Sequence, residues 1–164
     1  MKICRLIYLS LVIVLSVANY AHARNEKPCS GTKETLECLK ENFSDIYNDQ
    51  YFKFLIIVSK AETAALNCNS SEITAAYLDI APKIGKNLEV EYGFKDILET
   101  KLLKEKTACL LDALLLSNDN VKEIILGKYL AEPRYIKKKE VDTILSRYME
   151  QEKYKEMLKR YSGK

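Results

Sequence analysis

Apolar residues recur along this chain at intervals of three and four, the period of helices that bury one face. Leu36, Leu39 and Phe43 mark a first helix, capped by Thr32 and running to about Asn42. A second is expected from Phe43 or Asp49 to Leu66. Its front half, Tyr51 to Val58, suits a strand by propensity. The following Lys60–Leu66 is helical in composition, and the whole is read as one long buried helix. Ile73, Ala76, Tyr77, Ile80 and Ile84 give a third helix after Asn69, kinked or ended by Pro82. Gly85 and Gly93 bracket a short connector.

A fourth helix spans about Phe94 to Leu116. Its first half sets Ile97, Leu98, Leu102 and Leu103 against Lys95, Glu99, Lys101, Lys104 and Glu105, which read as the solvent side. Its second half, from Ala108, is apolar nearly all round and is expected at the centre of the core. Asn118 ends it, Asn120 caps a fifth helix to about Leu130, and Pro133 stops that one. In the last stretch, Val141, Ile144, Leu145, Tyr148 and Met149 precede Tyr154, Met157, Leu158 and Tyr161. The step between the two sets is not a helical repeat, so a bend is expected near Glu150–Lys153.

Offsetting the chain by 51 residues aligns Phe43 with Phe94, Asn67 with Asn118, Asn69 with Asn120, Pro82 with Pro133 and Val90 with Val141, among twelve identities in 48 ungapped positions. Asn67 and Asn118 suit helix C-termini, and Asn69-x-x-Glu72 and Asn120-x-x-Glu123 resemble capping boxes. The pattern predicts an αα-hairpin used twice.

The first 23 residues change the picture of compartment. Lys2 and Arg5 precede an apolar run from Leu6 to Val17, and Ala21-His22-Ala23 supplies a small-x-small cleavage pattern. The run is too short to span a bilayer, and Met1–Ala23 reads as a secretory signal peptide. Residues 24–164 are then the secreted or periplasmic domain, 141 residues long. No second long apolar segment and no lipid-anchor tail follows, so stable membrane anchoring is not expected.

His22 is the chain's one histidine. The mature chain therefore lacks imidazole, which excludes Ser-His and Cys-His pairs and His-ligated metal sites. No Gly-rich phosphate loop is present, Gly occurring five times in all. A carboxylate-based hydrolase would need a cleft with two facing acids, and the sequence nominates no pair. Neither a metal nor a cofactor is expected, and the protein is read as not an enzyme. The mature charge balance of +1 gives no reason to expect nucleic acid. It is uneven, however: +5 from Arg134 onward and −4 before it.

Of five cysteines Cys4 leaves with the signal, and Cys29, Cys38, Cys68 and Cys109 remain. An even count in a small exported chain implies two disulfides. Three connectivities are open. Nine tyrosines and four phenylalanines remain in the mature chain, several on apolar faces. A helical shell of this kind can enclose a small apolar ligand, phenols orienting its polar end. Tyr51, Phe54, Tyr77, Leu111, Leu115 and Tyr148 are the cavity candidates. Asn42-Phe43-Ser44 and Asn69-Ser70-Ser71 are glycosylation sequons in a eukaryotic host.

Asp96-Ile97-Leu98, Leu102-Leu103 and Cys109-Leu110-Leu111-Asp112, with Tyr154, Leu158 and Tyr161 near the end, resemble insect chemosensory proteins over about half of the mature chain. That resemblance implies a small secreted helical carrier of apolar ligands. The sequence departs from the family in lacking Cys-x-x-Cys, and has Tyr154 where the family favours Trp. Together the observations predict an all-α single domain of five to seven helices with two disulfides. Its expected function is non-enzymatic binding of a small apolar ligand between helices. The alternative is a helical inhibitor or immunity-type factor that engages a protein partner through its basic C-terminal helices. The pattern does not speak to oligomeric state.

Overall fold

The computed structural model describes residues 36–162. The expected signal segment, Cys29 and the Thr32 cap lie outside the described residues. Among the described residues every regular element is helical and none is a strand. In order they are α1 (Leu36–Glu41), α2 (Phe43–Asp49), α3 (Tyr51–Asn67), α4 (Ser71–Leu78), α5 (Ala81–Ile84), α6 (Leu88–Asp96), α7 (Thr107–Leu116), α8 (Asp119–Lys122), α9 (Lys138–Met149) and α10 (Glu152–Ser162). α6 runs on into a π-helical stretch, Ile97–Leu103, and α8 into another, Glu123–Tyr129.

These segments are shorter and more numerous than five to seven. Three of the extra breaks are single residues whose φ swings out of the helical range: Asn42 at −121°, Gln50 at −139° and Lys106 at −136°. One residue out of register barely shifts the apolar spacing, so the pattern runs through such breaks unmarked. Tyr51–Val58 is helix, not strand, because α3 buries a helical face against α2 and α4. It is not buried throughout, however. Phe54 and Ile57 are inside, while Phe52 is 81% exposed and Ile56 50%. A run that is apolar on every side must leave some of its residues out when only one face has a partner.

Turn chemistry differs from the expectation by one or two residues. Cys68, not Asn67, takes the left-handed conformation after α3, with φ 52°. Ser70, not Asn69, caps α4 by accepting from the Ile73 amide at 3.3 Å. Asn118 does not end α7 but caps α8, accepting from the Val121 amide at 3.0 Å, and Asn120 lies inside that helix. The aligned asparagines of the proposed repeat therefore do different work. Pro82 opens the short α5, where its missing N–H costs nothing. The connector is confined to residues 85–87: Gly85 takes φ +59°, Asn87 caps α6, and Gly93 is inside that helix.

α7 is the central helix, as its composition predicts. Leu110, Leu111, Ala113 and Leu114 are sealed from solvent, and α4 is its most extensive neighbour. A disulfide joins Cys68 at the end of α3 to Cys109 on α7, with Cα atoms 6.0 Å apart. The buried Thr74 sits beside it, donating to the Ala65 carbonyl at 3.2 Å and lying 3.4 Å from the Cys109 sulfur.

Lys95 and Glu99 do not face solvent. They are 8% and 0% exposed and share the inward side of their helix with Leu98 and Leu102. The Glu99 carboxylate accepts from the Arg134 amide at 2.9 and 3.0 Å, from Tyr135 at 2.6 Å and from Ile136 at 3.3 Å. Lys95, one turn earlier, donates to the Glu132 carbonyl at 2.8 Å. The Arg134 guanidinium lies 3.8 Å over the Tyr92 ring. Two charges at i, i+4 thus clamp the loop around Pro133, which otherwise would leave a row of amides without partners.

The expected bend falls at Glu150–Gln151, between α9 and α10. α10 then lays Tyr154, Met157, Leu158 and Tyr161 on the core. Tyr154 donates its hydroxyl to Asp112 at 2.6 Å, fastening α10 to α7.

Candidate functional site

α3 and α6 leave a cleft of about 310 Å³ between them. Tyr51, Phe54, Leu55, Val58 and Glu62 supply one wall, at the spacing of a single helix face. Glu89, Val90, Gly93, Phe94, Asp96 and Ile97 supply the facing one, and Tyr77 and Ile80 complete the lining. Tyr77 stacks on Phe94 with ring centroids 5.2 Å apart, and Phe54 meets Tyr47 and Phe43 edge to face at 5.2 and 5.3 Å. These contacts hold the aromatic walls in place before anything enters.

Of the six cavity candidates, the structure brings Tyr51, Phe54 and Tyr77 together in this cleft. Leu111, Leu115 and Tyr148 do not line it. Leu111 is fully buried and Leu115 packs at the core's edge, because α7 spends its leucines on its neighbours. Tyr148 packs on Tyr154, centroids 5.8 Å apart, in the α9–α10 hairpin.

Polar groups sit at defined places in this apolar lining. Glu89 accepts from the Tyr47 hydroxyl at 2.7 Å and from the Tyr51 hydroxyl, tying α2 and α3 to α6. Those two phenols hold its carboxyl below the usual range, and the Tyr51 phenol is pushed up in turn by Glu89. Glu62 behaves oppositely. Burial, and secondarily the charge of Asp96, raise its carboxyl above the usual range. Tyr77 is 1% exposed and lines the cleft. Burial, and then Glu62, push that phenol far upward. Glu62 and Asp96 both line the cleft, acids that the sequence did not nominate.

Gly93 has no steric duty. A Cβ built there meets nothing within 4 Å, and the residue lies in mid-helix, where glycine is costly. The exposed Phe52 and Ile56 flank Leu55 in sequence, so the apolar surface of α3 extends outward from the cleft. Sequence reasoning missed Glu62, Gly93 and Phe94 as site residues. The i, i+4, i+7, i+11 spacing of Tyr51, Leu55, Val58 and Glu62 was the signal available for the first.

A second, smaller cleft of about 220 Å³ lies between the second π-helical stretch and the α9–α10 hairpin, lined by Leu126, Leu130, Leu145, Met149, Leu158 and Tyr161. The basic residues of the C-terminal helices are largely spoken for. Lys138 pairs with Asp142, Lys153 with Asp112 at 2.5 Å, Lys155 with Glu152 at 3.1 Å and Arg160 with Asp119 at 3.2 Å. Of the two sequons, Asn42 commits its side-chain amide to the Cys38 carbonyl at 3.0 Å, while Asn69 is exposed. Among the described residues no helix is long and apolar enough to cross a membrane. No family model, no curated protein and no solved structure matches the chain.

Proposed function

We propose that the protein is an exported, non-enzymatic binding protein that holds a small, largely apolar ligand between α3 and α6. The observation that carries the reading is the aromatic cleft itself, open where Gly93 withholds a side chain. Pockets of this size and lining, apolar with a few placed polar groups, are the usual form of small-ligand sites. The sequence resemblance to chemosensory carriers points the same way. Export is supported by the pattern of Met1–Ala23 and by the Cys68–Cys109 bridge, since disulfides persist in oxidising compartments. A second bridge is supported by the even cysteine count: with Cys68 and Cys109 paired, Cys29 and Cys38 remain in the mature chain. The duplicated hairpin is supported by Phe43 and Phe94, both buried, while the differing caps weigh against it. A protein partner bound by the basic C-terminal helices has less support, because most of those cations already face carboxylates.

An uncharged naphthalene fluorophore titrated into the protein tests the reading. It should brighten, shift to the blue and saturate. Gly93→Met, which projects a side chain into open space, should weaken binding at least tenfold without lowering helicity or thermal midpoint. Absence of saturable binding, or equal binding by the folded Gly93→Met protein, refutes it. The latter result would place the probe outside this cleft.

A further inference from the structure

The lining of the cleft also speaks to the charge of its occupant, an inference that rests on reading the cleft as a ligand site. Glu62, Glu89 and Asp96 line it, and no lysine or arginine does. Glu89 is occupied by two phenols. Asp96 accepts from the Thr100 hydroxyl at 3.1 Å. Glu62 has no cationic partner among the described residues and feels the negative charge of Asp96. A carboxylate such as Glu62, beside hydrocarbon without a counter-ion, is in an unfavourable state that a bound cation would relieve. Beside these acids in the lining is Tyr77, whose hydroxyl oxygen can accept from an N–H donor. The faces of Tyr51, Phe54 and Phe94 carry the negative quadrupole that attracts organic cations.

We propose that the cleft takes an organic ammonium with an apolar body, its charged head set against Glu62 and Asp96 and its body along Phe54, Val58 and Phe94. A fatty acid of the same length would bring a like charge to these carboxylates and is disfavoured.

Octylamine, octanol and octanoate share one tail and differ in charge. Each is titrated at neutral pH into isotope-labelled full-length mature protein, with amide shifts at Tyr77 and Gly93 as the readout. Octylamine should bind roughly tenfold tighter than octanoate, with octanol between them, since the carboxylates attract the one and repel the other. In the double variant Glu62→Gln, Asp96→Asn, the advantage of the amine over octanol should disappear while octanol binding is kept. Thermal melts check that the variant folds, and single variants replace it if it does not. Octanol or octanoate binding as tightly as the amine, or an amine preference that survives in the folded variant, overturns the ammonium inference and leaves the cleft as an apolar site. If none of the three moves the Tyr77 and Gly93 signals, the inference and the reading beneath it both fall.

Discussion

Glu99→Gln isolates the clamp on the Pro133 loop, because it keeps the shape of the side chain and removes only its charge and one acceptor. In the native protein both carboxylate oxygens accept from three consecutive backbone amides, the shortest contact being 2.6 Å from Tyr135. Glutamine can still accept from the Tyr135 amide. Its NH2 group must then point where an oxygen stood, facing another donor. Hydrogen bonds to a charged acceptor contribute about 1.5–3 kcal/mol and neutral ones about 0.5–1.5. Two weakened or lost bonds therefore correspond to a destabilisation of about 2–3 kcal/mol. For a chain of this length that lowers the thermal midpoint by roughly 8–12 °C. Urea denaturation measures the free energy, and amide exchange at Arg134, Tyr135 and Ile136 reports whether the loop opens locally. A loss below about 0.5 kcal/mol with these amides still protected would refute the clamp, since an exposed glutamate changed to glutamine costs no more than that.

Other perturbations follow from the same structure. Replacing Cys68 and Cys109 together by serine opens a loop with a sequence separation of 41, and chain-entropy arguments put the loss at about 4 kcal/mol, read from urea midpoints under oxidising conditions; a loss under about 1 kcal/mol would contradict it. Gly93→Ala should stabilise the protein by roughly 0.5–1 kcal/mol, because the added methyl meets nothing and the helix gains propensity; destabilisation in thermal melts would mean that the cleft wall is tighter than it stands here. Glu62 binds its proton more firmly in the folded than in the unfolded chain, so it lowers stability as pH rises from the ordinary carboxylate range through its raised folded value. The difference between wild-type and Glu62→Gln stability curves should fall across that window and flatten above it; a flat difference curve throughout would show that the carboxyl is not perturbed. Glu89 has the opposite sign: its contribution is present above the ordinary range and is lost as pH falls through its depressed value.

The helical class was legible in residue order alone, because spacings of three and four, scarce Gly and Pro, and an apolar stretch at Ala108–Leu116 all follow from one local period. So was the turn at Glu150–Gln151, where that period slips. Half of the cavity candidates met in the cleft because Tyr51 and Phe54 share a turn of α3 and Tyr77 lies on the buried face of α4. What local order does not contain is the partner at a distance. Lys95 and Glu99 look like solvent residues until a loop more than thirty positions away supplies a carbonyl and three amides. Phe52 and Ile56 look like core until the helix is found, among the described residues, to bury one side only. Caps shifted by a residue for a related reason: adjacent Asn and Ser are nearly equivalent as local acceptors, and the disulfide at Cys68 is one of the distant constraints on where the turn begins. Periodicity decides which side of a helix is apolar. Only packing, a sum over contacts between distant segments, decides whether that side is covered, which charges are enclosed, and where a cleft is left between two walls.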